Sequence, residues 1–117
     1  MTPEQERWIQ AMESGLFASG TGGPLFDPHD NTWSPLGVAC RVFIGKPRIN
    51  ALGVASWNNR SLMAPDTIIE TLQLYNKVGG PRYSGDSILQ MMVLGSSLDD
   101  IAAHLRRNPA NYFRKWR

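Results

Sequence analysis

Residues 97–117 read SLDDIAAHLRRNPANYFRKWR, and the way this stretch folds decides the architecture of the C-terminal part of the chain. Ser97 and Asp100 have the spacing of a capping box, with aspartate in place of the usual glutamate or glutamine. Asp99 and Asp100 also complement the positive end of a helix that starts there. Ile101 and Leu105 lie four apart on one face, and Ala102 is small enough for a second helix to cross closely. Arg106-Arg107-Asn108 reads as a short connection, after which Asn108 caps a further helix and Pro109 suits its first turn. At about 100° per residue, Pro109, Tyr112, Phe113 and Trp116 share one arc of that last helix. Ala110, Asn111, Arg114, Lys115 and Arg117 fill the opposite side. One face is built to pack; the other is basic and polar.

Working outward, the remaining chain reads as short helices joined by glycine- and proline-rich connections. Thr2-Pro3-Glu4-Gln5 predicts a capped first helix, with Trp8, Ile9, Met12 and Leu16 at helical spacing and Gly15 as its stop. Residues 17–34 read as a loop, whose aromatics Phe17, Phe26 and Trp33 pack onto the body. Ser34-Pro35 opens a second helix, PLGVACRVFI, almost wholly apolar and so the buried centre; Gly45 and Pro47 end it. Residues 47–62 have no clean helical face, and a small hairpin near 48–58 is expected. Pro65-Asp66 opens a third helix, PDTIIETLQLYN, closed by the break at Val78-Gly79-Gly80-Pro81. Ser84 to Asp86 are expected to cap a fourth, SILQMMVL, ended by Gly95. The expected fold is mainly α: one domain, 1–117, of five to six short helices. Residues 1–83 form its helical body and 84–117 a tri-helical end.

With 117 residues the chain has room for a single core. One cysteine, Cys40, rules out an internal disulfide framework and a thiolate-rich zinc site, and points to a reducing cytoplasm. The opening MTPEQERWIQ has no long apolar run, which argues against a signal peptide. No run of about 18 apolar residues predicts a membrane span. The net charge of +2 conceals an asymmetry. All ten acids lie in residues 1–100 beside seven of the twelve Lys and Arg; Arg106, Arg107, Arg114, Lys115 and Arg117 follow with no acid among them. A basic end on an acidic body suggests an anionic partner.

Ile101-Ala102, Leu105, the connection 106–108, and Tyr112 with Trp116 resemble a helix-turn-helix unit spanning residues 84–117. The resemblance implies that Asn111 pairs with adenine and Arg114 with guanine in a major groove. Ala110 would lie on the same face. Arg106, Arg107, Lys115 and Arg117 would hold phosphates, and His104 would face the backbone. It also implies a homodimer, since one such unit grips DNA poorly alone. Arg106 departs from the glycine often found at the first turn position, where a left-handed backbone costs another residue roughly 1 kcal/mol. Residues 1–45 resemble a group of small phage and bacterial proteins of unknown function. The shared features are Trp8, Ala11, Ser14-Gly15 and Leu36-Gly37-Val38, with Ser34-Pro35 where the group often has a cysteine pair. An Ile-Ala helix near the C-terminus belongs to that group too.

No catalytic residues, cofactor or metal site are expected. Asp27, His29 and Asp30 in DPHD carry ligand chemistry, but these residue types also build ordinary turns. Cys40 with His29 or His104 is a formal nucleophile and base, yet Cys40 sits in an apolar helix. Residues 21–24, TGGP, lack the lysine of a phosphate-binding loop. The expected function is a small DNA-binding regulator acting through Arg106, Arg107, Ala110, Asn111, Arg114, Lys115 and Arg117. The alternative is a phage-type accessory protein that binds another protein and uses its C-terminal helices only as structure.

Overall fold

The computed structural model describes residues 1–20 and 23–117. Thr21 and Gly22, part of the expected glycine-rich loop, lie outside the described residues. Capping sets the helix starts. Thr2 Oγ1 accepts from the Gln5 amide and Gln5 Oε1 accepts from the Thr2 amide, so α1 (Pro3–Glu13) begins on a complete box. Ser34 accepts from the Gly37 amide and starts α2 (Pro35–Phe43). Ser97 and Asp100 exchange the same pair of bonds to start α5 (Leu98–Arg107).

The six helices of the described residues are completed by α3 (Asp66–Leu72), α4 (Ile88–Val93) and α6 (Pro109–Tyr112). Two small antiparallel hairpins accompany them. One joins β1 (Phe26–Asp27) to β2 (Thr32–Trp33), in register Phe26 to Trp33. The other joins β3 (Arg48–Ile49) to β4 (Ala55–Ser56), inside the span where a hairpin was expected.

Helix α1 presents Gln5, Trp8, Ile9 and Met12 to the interior, and α5 presents Leu98, Ile101, Ala102 and Leu105. The second set follows the i, i+3, i+4, i+7 pattern of an amphipathic helix, and the two helices pack on each other. Ala102 is fully buried there, as its small size foretells. Leu36, Val38, Ala39 and Cys40 bury the first turns of α2 on nearly every side. Its Gly37 lies so near the Leu25 carbonyl that a Cβ would fall 1.8 Å from that oxygen. Trp8 is fully buried; its indole N–H donates to the Pro35 carbonyl at 2.7 Å and its ring meets Phe113 edge-on. The N-terminal helix and the C-terminal segment therefore share one core.

Several expectations are corrected. Leu16 lies beyond α1, past Gly15 (φ +78°), and is 84% exposed. Residues 17–34 are not simply a loop. Asp27 Oδ1 accepts from the amides of His29 and Asp30, Asn31 turns left-handed, and Phe26 stacks on Trp33 with centroids 4.1 Å apart. The third helix stops at Leu72 because Gln73 adopts a left-handed backbone, leaving Tyr75 outside it. Ser87, rather than Ser84 or Asp86, caps α4. The connection expected at 106–108 shrinks to Asn108 alone. Arg106 and Arg107 belong to α5, so Arg106 carries no left-handed strain.

Candidate functional site

The basic face expected on one helix from Pro109 to Arg117 does not form as such. Helix α6 has four residues and ends at Tyr112. Phe113 is extended instead, in a bridge with Leu74. The Arg114 amide donates to the Gln73 carbonyl at 2.7 Å. This pairing with the end of α3 replaces the helical bonds that the local sequence could make. The Asn108 side chain makes no capping bond to α6; its amide donates back to the His104 carbonyl and so closes α5.

The residues expected to contact DNA separate into two groups. Arg106 is held by two carboxylates: Nη1 lies 2.8 Å from Glu6 Oε1, and Nη2 lies 2.6 Å from Glu13 Oε1. Its Nε also donates to Glu13 Oε2. The hydrogen bond from Arg106 holds the Glu13 carboxyl below its ordinary value. Asn111 accepts at Oδ1 from the Tyr83 amide and donates from Nδ2 to the Ser84 carbonyl. Arg114 donates from Nε to the Leu74 carbonyl at 2.7 Å and pairs with Glu70 at 3.3 Å. Ala110 is half-buried. Arg107, Lys115 and Arg117 are exposed, and none of them forms an ion pair among the described residues. The Arg117 guanidinium lies over the Trp116 ring.

His104 is turned to Tyr112, with Nε2 3.0 Å from Oη. Tyr112 Oη gives its single proton to the Asp86 carbonyl at 2.9 Å, so His104 must donate from Nε2. Burial, and then the Asp86 charge, raise the Tyr112 hydroxyl above its ordinary value. This chain ties α5, α6 and the approach to α4 together.

Asp27, His29 and Asp30 form a local turn. Among the described residues no three His, Cys, Asp or Glu side chains are placed to share a metal ion. The Cys40 thiol is buried in α2, and desolvation pushes it up to about 12. At neutral pH it stays a thiol and packs as a small apolar group.

A cleft of about 470 Å³ opens between the outer faces of α1 and α2. Ala11, Phe17 and Val42 line it and pack against the core beneath. Exposed Leu16, Arg41 and Arg7 line it too. Arg7 is steadied by cation–π contact with Phe43, its guanidinium carbon 5.5 Å from the ring centroid. Neither Arg7 nor Arg41 forms an ion pair among the described residues. Sequence reasoning passed over this place. The signal available was Arg41, the lone charge on an otherwise apolar helix.

No helix among the described residues is long and apolar enough to cross a membrane. No family model matches the chain, and no curated protein or solved structure matches it either.

Proposed function

We propose that this chain is a phage-type accessory domain that binds another protein, with its C-terminal helices serving the fold. The observation that carries this reading is the engagement of Asn111 and Arg114. These are the two side chains best suited to base edges, and both bond to backbone carbonyl or amide groups of other segments of the chain. Each such bond contributes about 1 kcal/mol. Reaching a base would break several at once.

A second reading keeps DNA as the partner. It rests on the exposure of Arg107, Lys115 and Arg117, which carry positive charge free of intramolecular ion pairs among the described residues. In it a homodimer places two basic ends on phosphates.

Fluorescence anisotropy with a labelled random-sequence duplex over a salt series separates the two. The accessory reading expects little binding at physiological salt and no change in an Arg107→Gln/Lys115→Gln/Arg117→Gln variant. A log–log salt slope of about −3 to −5, flattened in that variant, would mean that several phosphates are neutralised and would give the DNA reading the case.

A further inference from the structure

We propose that the α1–α2 cleft is the docking site for an acidic peptide segment of a partner protein, one that places an apolar side chain between Arg7 and Arg41. The inference rests on the accessory-domain reading and names the partner's chemistry. Three features carry it. The first is charge. Arg7 and Arg41 approach the same cleft from different helices, and neither has a carboxylate partner among the described residues. Arg106, on α5, shows what this surface does with an arginine that has acids in reach: it binds two of them. Unpaired guanidinium forks across an apolar floor are complementary to carboxylates flanking an apolar group.

The second feature is preorganisation. The Phe43 ring holds the Arg7 guanidinium in place before any partner arrives, which lowers the ordering cost of binding. The floor is built from side chains that already pack on the core, so it does not have to form on binding.

The third feature decides between a peptide and a small molecule. Sites for small ligands enclose most of the ligand's surface. Here Leu16 is 84% exposed at the cleft, and Ile44, three residues after Arg41, is 38% exposed at the end of α2. A small molecule seated on the floor would leave Leu16 in water. A chain that continues past the cleft would cover it.

The test uses the full chain and a fluorescein-labelled peptide, Glu-Leu-Glu-Phe-Glu, followed by anisotropy. Two control peptides accompany it: Gln-Leu-Gln-Phe-Gln, without charge, and Glu-Ser-Glu-Ser-Glu, without apolar side chains. The expected result is saturable binding of the first peptide and at least about tenfold weaker binding of each control, the loss expected when charge-assisted bonds or apolar burial are removed. Arg41→Gln and Leu16→Ser change exposed side chains, so both variants should fold, and each should weaken the first peptide by a similar factor. Arg107→Gln/Lys115→Gln/Arg117→Gln should bind it as the wild type does.

Equal binding by wild type, Arg41→Gln and Leu16→Ser would overturn the assignment to this cleft. So would no binding at millimolar peptide, or affinity lost only in the Arg107, Lys115 and Arg117 variant. If the peptide fails while the random duplex also stays unbound, the docking inference falls and the accessory reading stands. If the duplex binds with a steep salt slope, the accessory reading falls as well.

Discussion

Gln5 and Lys115 are joined across almost the whole length of the chain: Gln5 Nε2 donates to the Lys115 carbonyl at 2.6 Å. The same nitrogen donates to the Leu72 carbonyl at 3.0 Å. One fully buried amide thus ties α1 to the end of α3 and to the C-terminal segment, while its oxygen completes the cap of its own helix.

Gln5→Glu separates these two roles. A carboxylate still accepts from the Thr2 amide, so the capping box survives. It cannot donate to Leu72 and Lys115, and it sets a buried charge against two carbonyl oxygens. The expected loss is about 2 kcal/mol or more at neutral pH, read as a lower urea midpoint with an unchanged slope. Trypsin should also cut faster after Arg114 and Lys115. Wild-type stability in Gln5→Glu would mean that the clamp contributes nothing.

Arg106 supports a pH-dependent contact. Its pairs with Glu6 and Glu13 involve side chains that are each about a third exposed, so solvent screening holds the expected contribution to about 1 kcal/mol. The Glu13 carboxyl is held below its ordinary 4.5, chiefly by the hydrogen bond from Arg106. A depressed carboxyl stabilises the fold fully above its unfolded value, and the effect disappears as pH falls through the folded value. Arg106→Met keeps the apolar stem. Its urea midpoint should lie below wild type at pH ~7, and the gap should shrink as pH falls below the ordinary carboxyl range. A gap that keeps its size as pH falls would place Arg106's contribution in packing.

Gly37 is a steric requirement of the core. In Gly37→Ala the new methyl meets the Leu25 carbonyl oxygen at 1.8 Å, a backbone atom that cannot swing aside. Leu25 is itself held, its amide bonded to the Ser61 carbonyl and its carbonyl to the Ser34 amide. The expected cost is about 3 kcal/mol or more. Gly20→Ala is the control, because its Cβ would make only ordinary contact, 3.4 Å from the Trp33 carbonyl oxygen. It should stay within about 0.5 kcal/mol of wild type. Thermal melts of the pair check the difference, and equal melting temperatures would refute the steric argument.

Much of the local structure was legible because it rests on contacts three or four residues long. The caps at Thr2, Ser34 and Ser97 each join a side chain to an amide three positions on. The stripe Ile101, Ala102 and Leu105 is buried as its spacing requires. The hairpin at β1 and β2 was hidden for a physical reason. Two-residue strands carry no alternation to detect, and Phe26 and Trp33 announce themselves as aromatics without saying that they stack. Gln73 likewise carries no mark of the left-handed turn that ends α3.

The sequence by itself determined where every helix but α4 starts, that α1 buries Trp8, Ile9 and Met12 and α5 buries Ile101, Ala102 and Leu105, and that the positive charge is concentrated at the C-terminal end. Only the tertiary structure decided what that charge is available to do. Phe113 leaves the helix because Leu74 and Gln73 offer its neighbourhood backbone partners and Trp8 offers its ring a buried contact. Arg106 loses its freedom to carboxylates brought over by α1, and Arg114 to a carbonyl and a carboxylate at the end of α3. Arg7 looks ordinary in the sequence and Arg41 is marked only as the lone charge of an apolar helix, yet both stay unpaired among the described residues and share a cleft. Helix propensity and capping act over one turn and are worth at most about 1–2 kcal/mol at a position. Packing and ion pairing act between segments far apart in the chain, so no local pattern could show which arginines the fold would pair and which it would leave unpaired.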